Sequence, residues 1–398
     1  MRTTFPARLR GRPRHALLAA ALAALALPAT SQAATIEVFD STSFAPHAFE
    51  YRAAAGERND VRVTETTDGR TIVSDSKPLR IVGDSTLDGC RLDAAGAAIC
   101  APNAKPVGFE LGDGDDVIRY MASEQVGTDE GFGDSVIDGG AGNDTIFAGI
   151  RRNAVGVLDL DGGAGNADKL TYASAGSAAT VTLQPGHPVL DHGNDGVRGD
   201  ANHIRGGFEI VEGSSFADAI SGSDADHRER FIGGLGNDTI SGLGGTDVFH
   251  EGSAPSGADT YNGGSGTDLV DYSQRTKRVD VRMDDLARND GEAGERDFID
   301  PNVNDVFGGA AGDFLAGGTG PNVLIGNGGG DALHGNGGND RVEGGRGVDF
   351  LTGGADDDVI DSADDVADTI RCEGGSDTLN RDLRDVDVDV PGCEVINP

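Results

Sequence analysis

Six consecutive nine-residue segments fill the chain from Gly308 to Asp361, with no insertion between them. In order they read GGAAGDFLA, GGTGPNVLI, GNGGGDALH, GNGGNDRVE, GGRGVDFLT and GGADDDVID. Glycine holds the first position every time, and a leucine, valine or isoleucine holds the eighth. The sixth position carries an aspartate or its amide: Asp313, Asn322, Asp331, Asp340, Asp349 and Asp358. Such columns at a fixed period indicate a repeat architecture in which each unit stacks on its neighbours.

Each repeat divides into a turn and a short strand. Glycines adopt backbone angles that are closed to other residues, so the first six positions predict a turn. The last three positions predict a strand whose eighth-position side chain points inward. Two repeats then make one coil of about 18 residues, and successive coils stack at roughly 4.8 Å. The pattern therefore predicts an all-β fold, a parallel β-roll or β-solenoid.

Stacking places the sixth-position residues in two columns, because alternate repeats share an edge of the roll. One edge carries Asp313, Asp331 and Asp349, and the other carries Asn322, Asp340 and Asp358. Two charges about 4–5 Å apart repel by roughly 1 kcal/mol in water, and by more in a partly buried turn. Ca²⁺ accepts about 6–8 oxygen ligands in flexible geometry, whereas Mg²⁺ demands a tighter arrangement. These six residues are therefore predicted calcium ligands.

Looser copies of the nonapeptide precede the continuous array. GGAGNDTIF starts at Gly139, and GGLGNDTIS starts at Gly233. The sixth-position acids of these copies are further predicted calcium ligands: Asp144, Asp218, Asp238, Asp247 and Asp268.

A longer duplication interrupts these copies. GGAGNADKLTYASAGSAATVTL, from Gly162, matches GGSGTDLVDYSQRTKRVDVRM, from Gly263, and an Asn-Asp-Gly turn follows each. Alternating apolar residues in the second copy predict a strand. We interpret both stretches as long excursions that leave the coil and rejoin it.

The segments GGLGNDTIS, GGRGVDFLT and GNGGNDRVE resemble the RTX, or hemolysin-type, calcium-binding repeat. The resemblance extends in patches from about Gly112 to Asp361 and is continuous from Gly308. It implies a right-handed parallel β-roll with several Ca²⁺ ions bound in the turns. Two repeats depart from the pattern: Asn322 replaces an aspartate, and Ala167 holds the sixth position of GGAGNADKL with Asp168 displaced by one residue.

The start of the chain predicts export. Five arginines between Arg2 and Arg14 precede an apolar run from Ala16 to Leu27, and small residues end at Ala33. This is the pattern of a secretory signal peptide, with cleavage expected after Ala33, and it is too short for a membrane span. We therefore expect a secreted protein; a signal anchor is the alternative.

The charge of the chain limits its partners. Without residues 1–33, the 32 basic residues fall to 27 against 67 acidic ones, so the formal net charge moves from −35 to −40. A chain this acidic is not expected to bind nucleic acid or anionic membranes by charge, but it is expected to bind cations.

The repeat pattern divides the chain into five parts. Residues 1–33 form the signal peptide, 34–106 a β-rich N-terminal cap, 107–307 the degenerate repeats with both excursions, 308–361 the continuous roll, and 362–398 a short C-terminal cap. Repeat arrays need caps to cover their terminal apolar layers. In an exported chain the nearest cysteines are expected to pair, Cys90 with Cys100 and Cys372 with Cys393, which makes the C-terminal cap disulfide-bonded. Free or cross-paired thiols are the alternative.

Our first interpretation is a non-enzymatic calcium-binding protein with a structural or interaction role. No HExxH motif is present, because His250-Glu251 lacks a second histidine at the required spacing, and no GxSxG elbow occurs. No catalytic residue is predicted, and Ca²⁺ is the one cofactor. Two alternatives stay open: a polysaccharide lyase or hydrolase on a β-solenoid, which the absence of Trp disfavours, and a calcium-dependent adhesin or toxin-associated module.

Overall fold

Short strands follow the glycine-rich turns throughout the molecule. A computed structural model describes residues 33–39, 47–66, 68–83, 89–102, 104–121, 135–148, 157–183, 196–197, 201–283, 287–387 and 393–397. All regular elements in these ranges are β-strands. These residues contain no helix able to span a membrane. The expected signal peptide lies outside the described residues except for its last position, Ala33.

One long sheet runs the length of the roll. Its strands are parallel except at the N-terminal end, where four pair antiparallel. In spatial order they are Cys90–Leu92, Ala98–Cys100, Thr71–Ser74, Asp60–Glu65, Val117–Met121, Thr145–Phe147, Lys169–Thr171, Ile210–Glu212, Arg230–Ile232, Val248–His250, Leu269–Asp271, Asp305–Phe307, Val323–Ile325, Arg341–Glu343, Val359–Asp361, Asp377–Asn380 and Cys393–Asn397.

Three shorter sheets follow one another on the opposite side of the core. The first contains Leu79–Gly83, Ala34–Phe39, His47–Arg52, Ala104–Glu110, Ser135–Asp138, Val157–Asp161 and Ala201–Gly206. The second contains Gly196–Val197, Ala179–Thr182, Ala219–Ser221, Thr239–Gly245, Thr260–Gly266 and Phe298–Ile299. The third contains Gly291–Glu292, Val279–Arg282, Phe314–Ala316, Ala332–Gly337, Phe350–Ala355, Thr369–Gly374 and Val386–Asp387. Gly328–Gly329 and Arg346–Gly347 pair separately within the turns.

The register confirms that two repeats make one coil. Leu324 pairs with Val342 in the long sheet, and Leu315 pairs with Leu333 in the third opposing sheet, each across two repeats. The eighth-position side chains fill the space between the sheets with no exposed surface: Leu315, Leu324, Leu333, Val342, Leu351 and Ile360. The predicted all-β parallel roll is therefore confirmed.

The two excursions end one opposing sheet and begin the next. In the first, the chain leaves Lys169–Thr171 of the long sheet, forms Ala179–Thr182 of the second opposing sheet, and returns through Ala201–Gly206, the last strand of the first opposing sheet. It then rejoins the long sheet at Ile210–Glu212, directly beside the strand that it left. The second excursion repeats this path one sheet further along. Asn194 and Asp195 of the first predicted turn lie outside the described residues.

Both ends of the roll carry a disulfide. Cys90 and Cys100 are bonded to each other across neighbouring antiparallel strands. The N-terminal cap that contains them is β-rich, as predicted. Cys372, in the third opposing sheet, bonds Cys393, in the last strand of the long sheet. The C-terminal bond thus ties the two faces of the roll together, and the parallel pairing continues past Asp361 to this point.

Candidate calcium-binding turns

The sixth-position aspartates of the continuous array are joined coil to coil by hydrogen bonds. The Oδ1 of Asp331 accepts the main-chain N–H of Asp313 at 2.7 Å, and the Oδ1 of Asp349 accepts that of Asp331 at 2.8 Å. On the other edge, the Oδ1 of Asp340 accepts the N–H of Asn322 at 2.8 Å. The structure therefore brings the predicted ligands together in the two predicted columns.

Both columns extend far beyond the continuous array. All five upstream ligand predictions occupy them, and each is buried: Asp144, Asp218, Asp238, Asp247 and Asp268. Asp168 belongs to the same column as Asp144, because its Oδ1 accepts the Asp144 N–H at 2.7 Å. The displaced aspartate of GGAGNADKL thus holds the column position, and Ala167 does not.

Further acids in the columns were missed by counting from the glycines. They are Asp116, Asp168, Glu209, Glu229, Asp259, Asp297, Asp368, Asp377 and Asp385. Turn lengths vary in these coils, but an acid two residues before a buried apolar residue marks most of them, as in Asp116 with Ile118 and Asp368 with Ile370. Counting backwards from the strand would have found them.

The second carboxylate oxygen of many column aspartates is buried without a hydrogen-bond donor. Among the described residues this holds for the Oδ2 of Asp116, Asp144, Asp168, Asp238, Asp247, Asp268, Asp331, Asp340, Asp349, Asp358 and Asp368. These residues are at most 2% exposed. A buried carboxylate oxygen without a partner is costly, so eleven of them in register indicate a site for a cation.

The first-position glycines keep space open beside these oxygens. A Cβ added at Gly326 would lie 2.5 Å from the Oδ2 of Asp331 and 2.5 Å from the carbonyl oxygen of Gly344. The same relationship joins Gly335 to Asp340. Carboxylate and carbonyl oxygens are the hard ligands that Ca²⁺ prefers, so the residues present fit this ion. When bound, Ca²⁺ supplies the positive charge that the stacked carboxylates lack.

A family model described as "RTX calcium-binding nonapeptide repeat (4 copies)" matches residues 131–150, 225–252, 256–270, 307–342 and 334–366. The chain contains RTX calcium-binding repeats. The matches are patchy before residue 307 and continuous from 307 to 366, in agreement with the sequence register. No curated protein matches the chain.

Three of the predicted ligands differ from the rest, because the protein satisfies their second polar atom. The Oδ2 of Asp313 accepts the N–H of Gly309 at 2.6 Å, and the Oδ2 of Asp218 accepts that of Ser214 at 2.5 Å. Asn322 donates its Nδ2 hydrogen to the carbonyl of Asn304 at 2.6 Å. Asp218 and Asp313 are the first column residues of the second and third opposing sheets, and there a protein donor replaces part of the demand for a cation.

Burial changes the protonation of the RTX columns. Loss of solvent raises the pKa of Asp331 and Asp340 to about 7, since the charged form is poorly solvated, although main-chain N–H donors oppose the shift. The charges of neighbouring column aspartates raise these pKa values further. Without Ca²⁺, Asp331 and Asp340 therefore take up protons near neutral pH.

An acidic cluster surrounds Arg275, which lies in the turn where the second excursion leaves the long sheet. Arg275, which is fully buried, donates to Glu251 at 2.6 Å and to Glu295 at 2.8 Å, with Glu292 at 3.6 Å. The matching turn of the first excursion has Ala175, whose N–H bonds the Tyr172 carbonyl just as that of Arg275 bonds the Tyr272 carbonyl. In the second excursion, the guanidinium group of Arg275 thus places a positive charge beside the buried acids.

Convergent carboxylates in this cluster bear on the enzyme alternative. Oxygen atoms of Glu251, Asp259 and Asp297 lie within 4.8 Å of one another, and a cavity of about 340 Å³ borders the first two. Each carboxylate is already engaged: the Tyr261 hydroxyl donates to Glu251, the Ser256 hydroxyl donates to Asp259 at 3.0 Å, and the Tyr272 hydroxyl donates to Asp297 at 3.0 Å. All three acids are at most 4% exposed.

Proposed function

We propose that this protein is a secreted, non-enzymatic calcium-binding roll that folds when it binds Ca²⁺ and then serves a structural or interaction role outside the cell. The observation that carries the proposal is the set of eleven buried, unpartnered Oδ2 atoms in the two columns. No hydrogen-bond donor among the described residues contacts these oxygens. The repeat family that the chain matches is a calcium-binding one.

Electrostatics explains why folding would depend on the ion. The columns stack carboxylates inside a chain of formal net charge −35, so compaction without a counter-ion is opposed both locally and by overall repulsion. Because an unfolded chain cannot form the multi-coil site, the free energy of binding Ca²⁺ becomes free energy of folding.

Export and the non-enzymatic role have their own support. The first 33 residues have the pattern of a signal peptide, and the chain carries two disulfides, which form and persist in oxidising compartments. The acids of the cluster around Arg275 are buried and hydrogen-bonded, which favours a structural role over cleavage of a polysaccharide.

The test is calcium-driven folding of the chain that begins at residue 34. We expect far-ultraviolet circular dichroism to show a largely unfolded chain in calcium-free buffer and a cooperative gain of β signal on titration with CaCl₂. MgCl₂ at the same concentration is the control and should give much less signal, because Mg²⁺ requires near-ideal octahedral geometry. Identical spectra with and without Ca²⁺ would contradict the proposal.

A further inference from the structure

A groove lined by four arginines lies at the junction of the second and third opposing sheets. Its volume is about 580 Å³, and the arginines that line it are Arg278, Arg282, Arg288 and Arg296. Asp280 and Glu292 are the acids among its lining residues. A concentration of guanidinium groups in a chain of formal net charge −35 marks this surface as different from the rest.

Two of the arginines are held in place by aromatic rings. The guanidinium carbon of Arg282 lies 4.1 Å from the centroid of the Phe314 ring, and that of Arg288 lies 5.5 Å from the Phe298 centroid. Stacking of this kind uses the face of the guanidinium plane and leaves its N–H edge available. Arg288 is therefore arranged to present hydrogen-bond donors to a ligand without a large loss of freedom on binding.

The groove already contains one carboxylate that is paired with arginines. The Asp280 carboxylate lies between two guanidinium groups, 3.0 Å from the Nε of Arg282 and 3.8 Å from Arg278. Arg288 donates to the Thr260 hydroxyl at 2.9 Å, and neither Arg288 nor Arg296 forms an ion pair with a carboxylate of the described residues. A second planar anion would complete the same arrangement at these two arginines.

The duplicated excursion shows that two of these arginines are not required by the fold. The strand Ala179–Thr182 occupies in the first excursion the place of Val279–Arg282 in the second. In the first excursion, Ala178 and Thr182 stand where the second has Arg278 and Arg282. The same backbone path therefore forms without these charges, which points to a binding role for them.

We propose that this arginine groove binds a carboxylate-bearing polysaccharide, with Arg288 and Arg296 as the main anion contacts. The planar N–H fork of arginine matches a carboxylate, and the exposed amide of Asn289 can bond sugar hydroxyls beside Gly294, where the backbone leaves open space. Polyphosphate chains fit less well, because two acids offset half of the arginine charge in the groove, while the surrounding protein repels dense negative charge.

The test measures binding of a galacturonic acid trisaccharide to the calcium-saturated chain by calorimetry. Maltotriose serves as the neutral sugar and a short thymidine oligonucleotide as the phosphate-bearing polymer. The double variant Arg288→Gln and Arg296→Gln is expected to weaken trisaccharide binding about tenfold, through loss of two charge-assisted contacts. The matched control, Arg341→Gln with Arg346→Gln, removes the same charge from exposed positions elsewhere on the roll and should leave binding unchanged.

Any of these results would overturn the proposal: no binding of the trisaccharide by the native chain, equal binding of maltotriose, tighter binding of the oligonucleotide, or equal losses in the two double variants. Binding that requires Ca²⁺ but ignores the groove variants would also overturn it, because the ion would then bridge the sugar to acidic turns. Calcium-dependent circular dichroism checks the fold of each variant. Should the groove double variant not fold, Arg288→Gln alone, at an exposed position, takes its place.

Discussion

Asp331 accepts the main-chain N–H of Asp313 through one carboxylate oxygen, at 2.7 Å, and buries the other without a hydrogen-bond donor. The first contact joins two coils, and the second atom creates the need for a cation. One side chain therefore links stacking of the roll to binding of Ca²⁺, and the predictions below separate these two roles.

Asn322 and Asp331 test the charge of the columns. Asn322→Asp should tighten calcium binding and raise the melting temperature at limiting Ca²⁺, because ligand charge is a main control on affinity for this ion. Without Ca²⁺ the same change should destabilise the roll, since it removes the Nδ2 donor that bonds the Asn304 carbonyl. Asp331→Asn on the opposite edge should weaken calcium binding. Calorimetry that shows a loss for Asp331→Asn and no gain for Asn322→Asp would contradict the two-column register.

The first-position glycines are expected to be needed for the space beside the carboxylate. Gly326→Ala should lower the melting temperature in Ca²⁺ and weaken binding, at a cost of about 1–3 kcal/mol, because its Cβ would press on Asp331 and on the Gly344 carbonyl. Gly320→Ala is the matched control in the same array, since nothing lies within 4 Å of a Cβ there. Its effect should stay within about 0.5 kcal/mol. Equal effects of the two substitutions would rule out the steric explanation.

The columns should give the calcium-free protein an unusual dependence on pH. The folded pKa of Asp331 and of Asp340 is raised to about 7 from an ordinary value of 3.8, so protonation favours the folded state. Their contribution to stability is complete below about pH 4 and is lost as the pH rises through about 7. In calcium-free buffer, the folded fraction measured by circular dichroism should therefore be larger at pH 5 than at pH 8.

Saturating Ca²⁺ should reverse this trend, because the ion requires the ionised carboxylates. The double variant Asp331→Asn and Asp340→Asn controls for overall charge repulsion, and its calcium-free stability should depend less on pH than that of the native chain. A native chain that is less stable at pH 5 than at pH 8 without Ca²⁺ would show that burial does not govern these groups.

Arg275 should matter for stability even when Ca²⁺ is saturating. Arg275→Met leaves Glu251 and Glu295 buried without their cation, and breaking a buried pair of this kind costs about 3–5 kcal/mol. Arg341→Met, which removes an exposed partner of Glu343, is the control and should cost less than about 1 kcal/mol. Thermal unfolding in excess CaCl₂ compares them. Similar melting temperatures for the two variants would mean that other groups neutralise the cluster.

The sequence by itself determined the repeating part of this protein. A nine-residue period fixes which side chains stack, because neighbouring strands must pair at a constant spacing. Counting along the sequence therefore predicts that Leu324 stacks on Val342 and that Asp313 stacks on Asp331. The same counting located eleven column residues from Asp144 to Asp358, including Asn322. It failed at Asp168 and Asp368, where turns of other lengths precede the strand, since hydrogen bonds between strands, and not the number of glycines, set the register.

Only the tertiary structure decided what the second oxygen of each acid meets. Asp313 and Asp331 are both aspartates at the same repeat position, yet Gly309 donates to the Oδ2 of Asp313 and no donor reaches the Oδ2 of Asp331. The structure also decided that the excursions exchange one opposing sheet for the next, which buries Arg275 among acids and gathers four arginines around one groove. These arrangements join residues from strands that are distant in the chain, and a local period carries no information about such contacts.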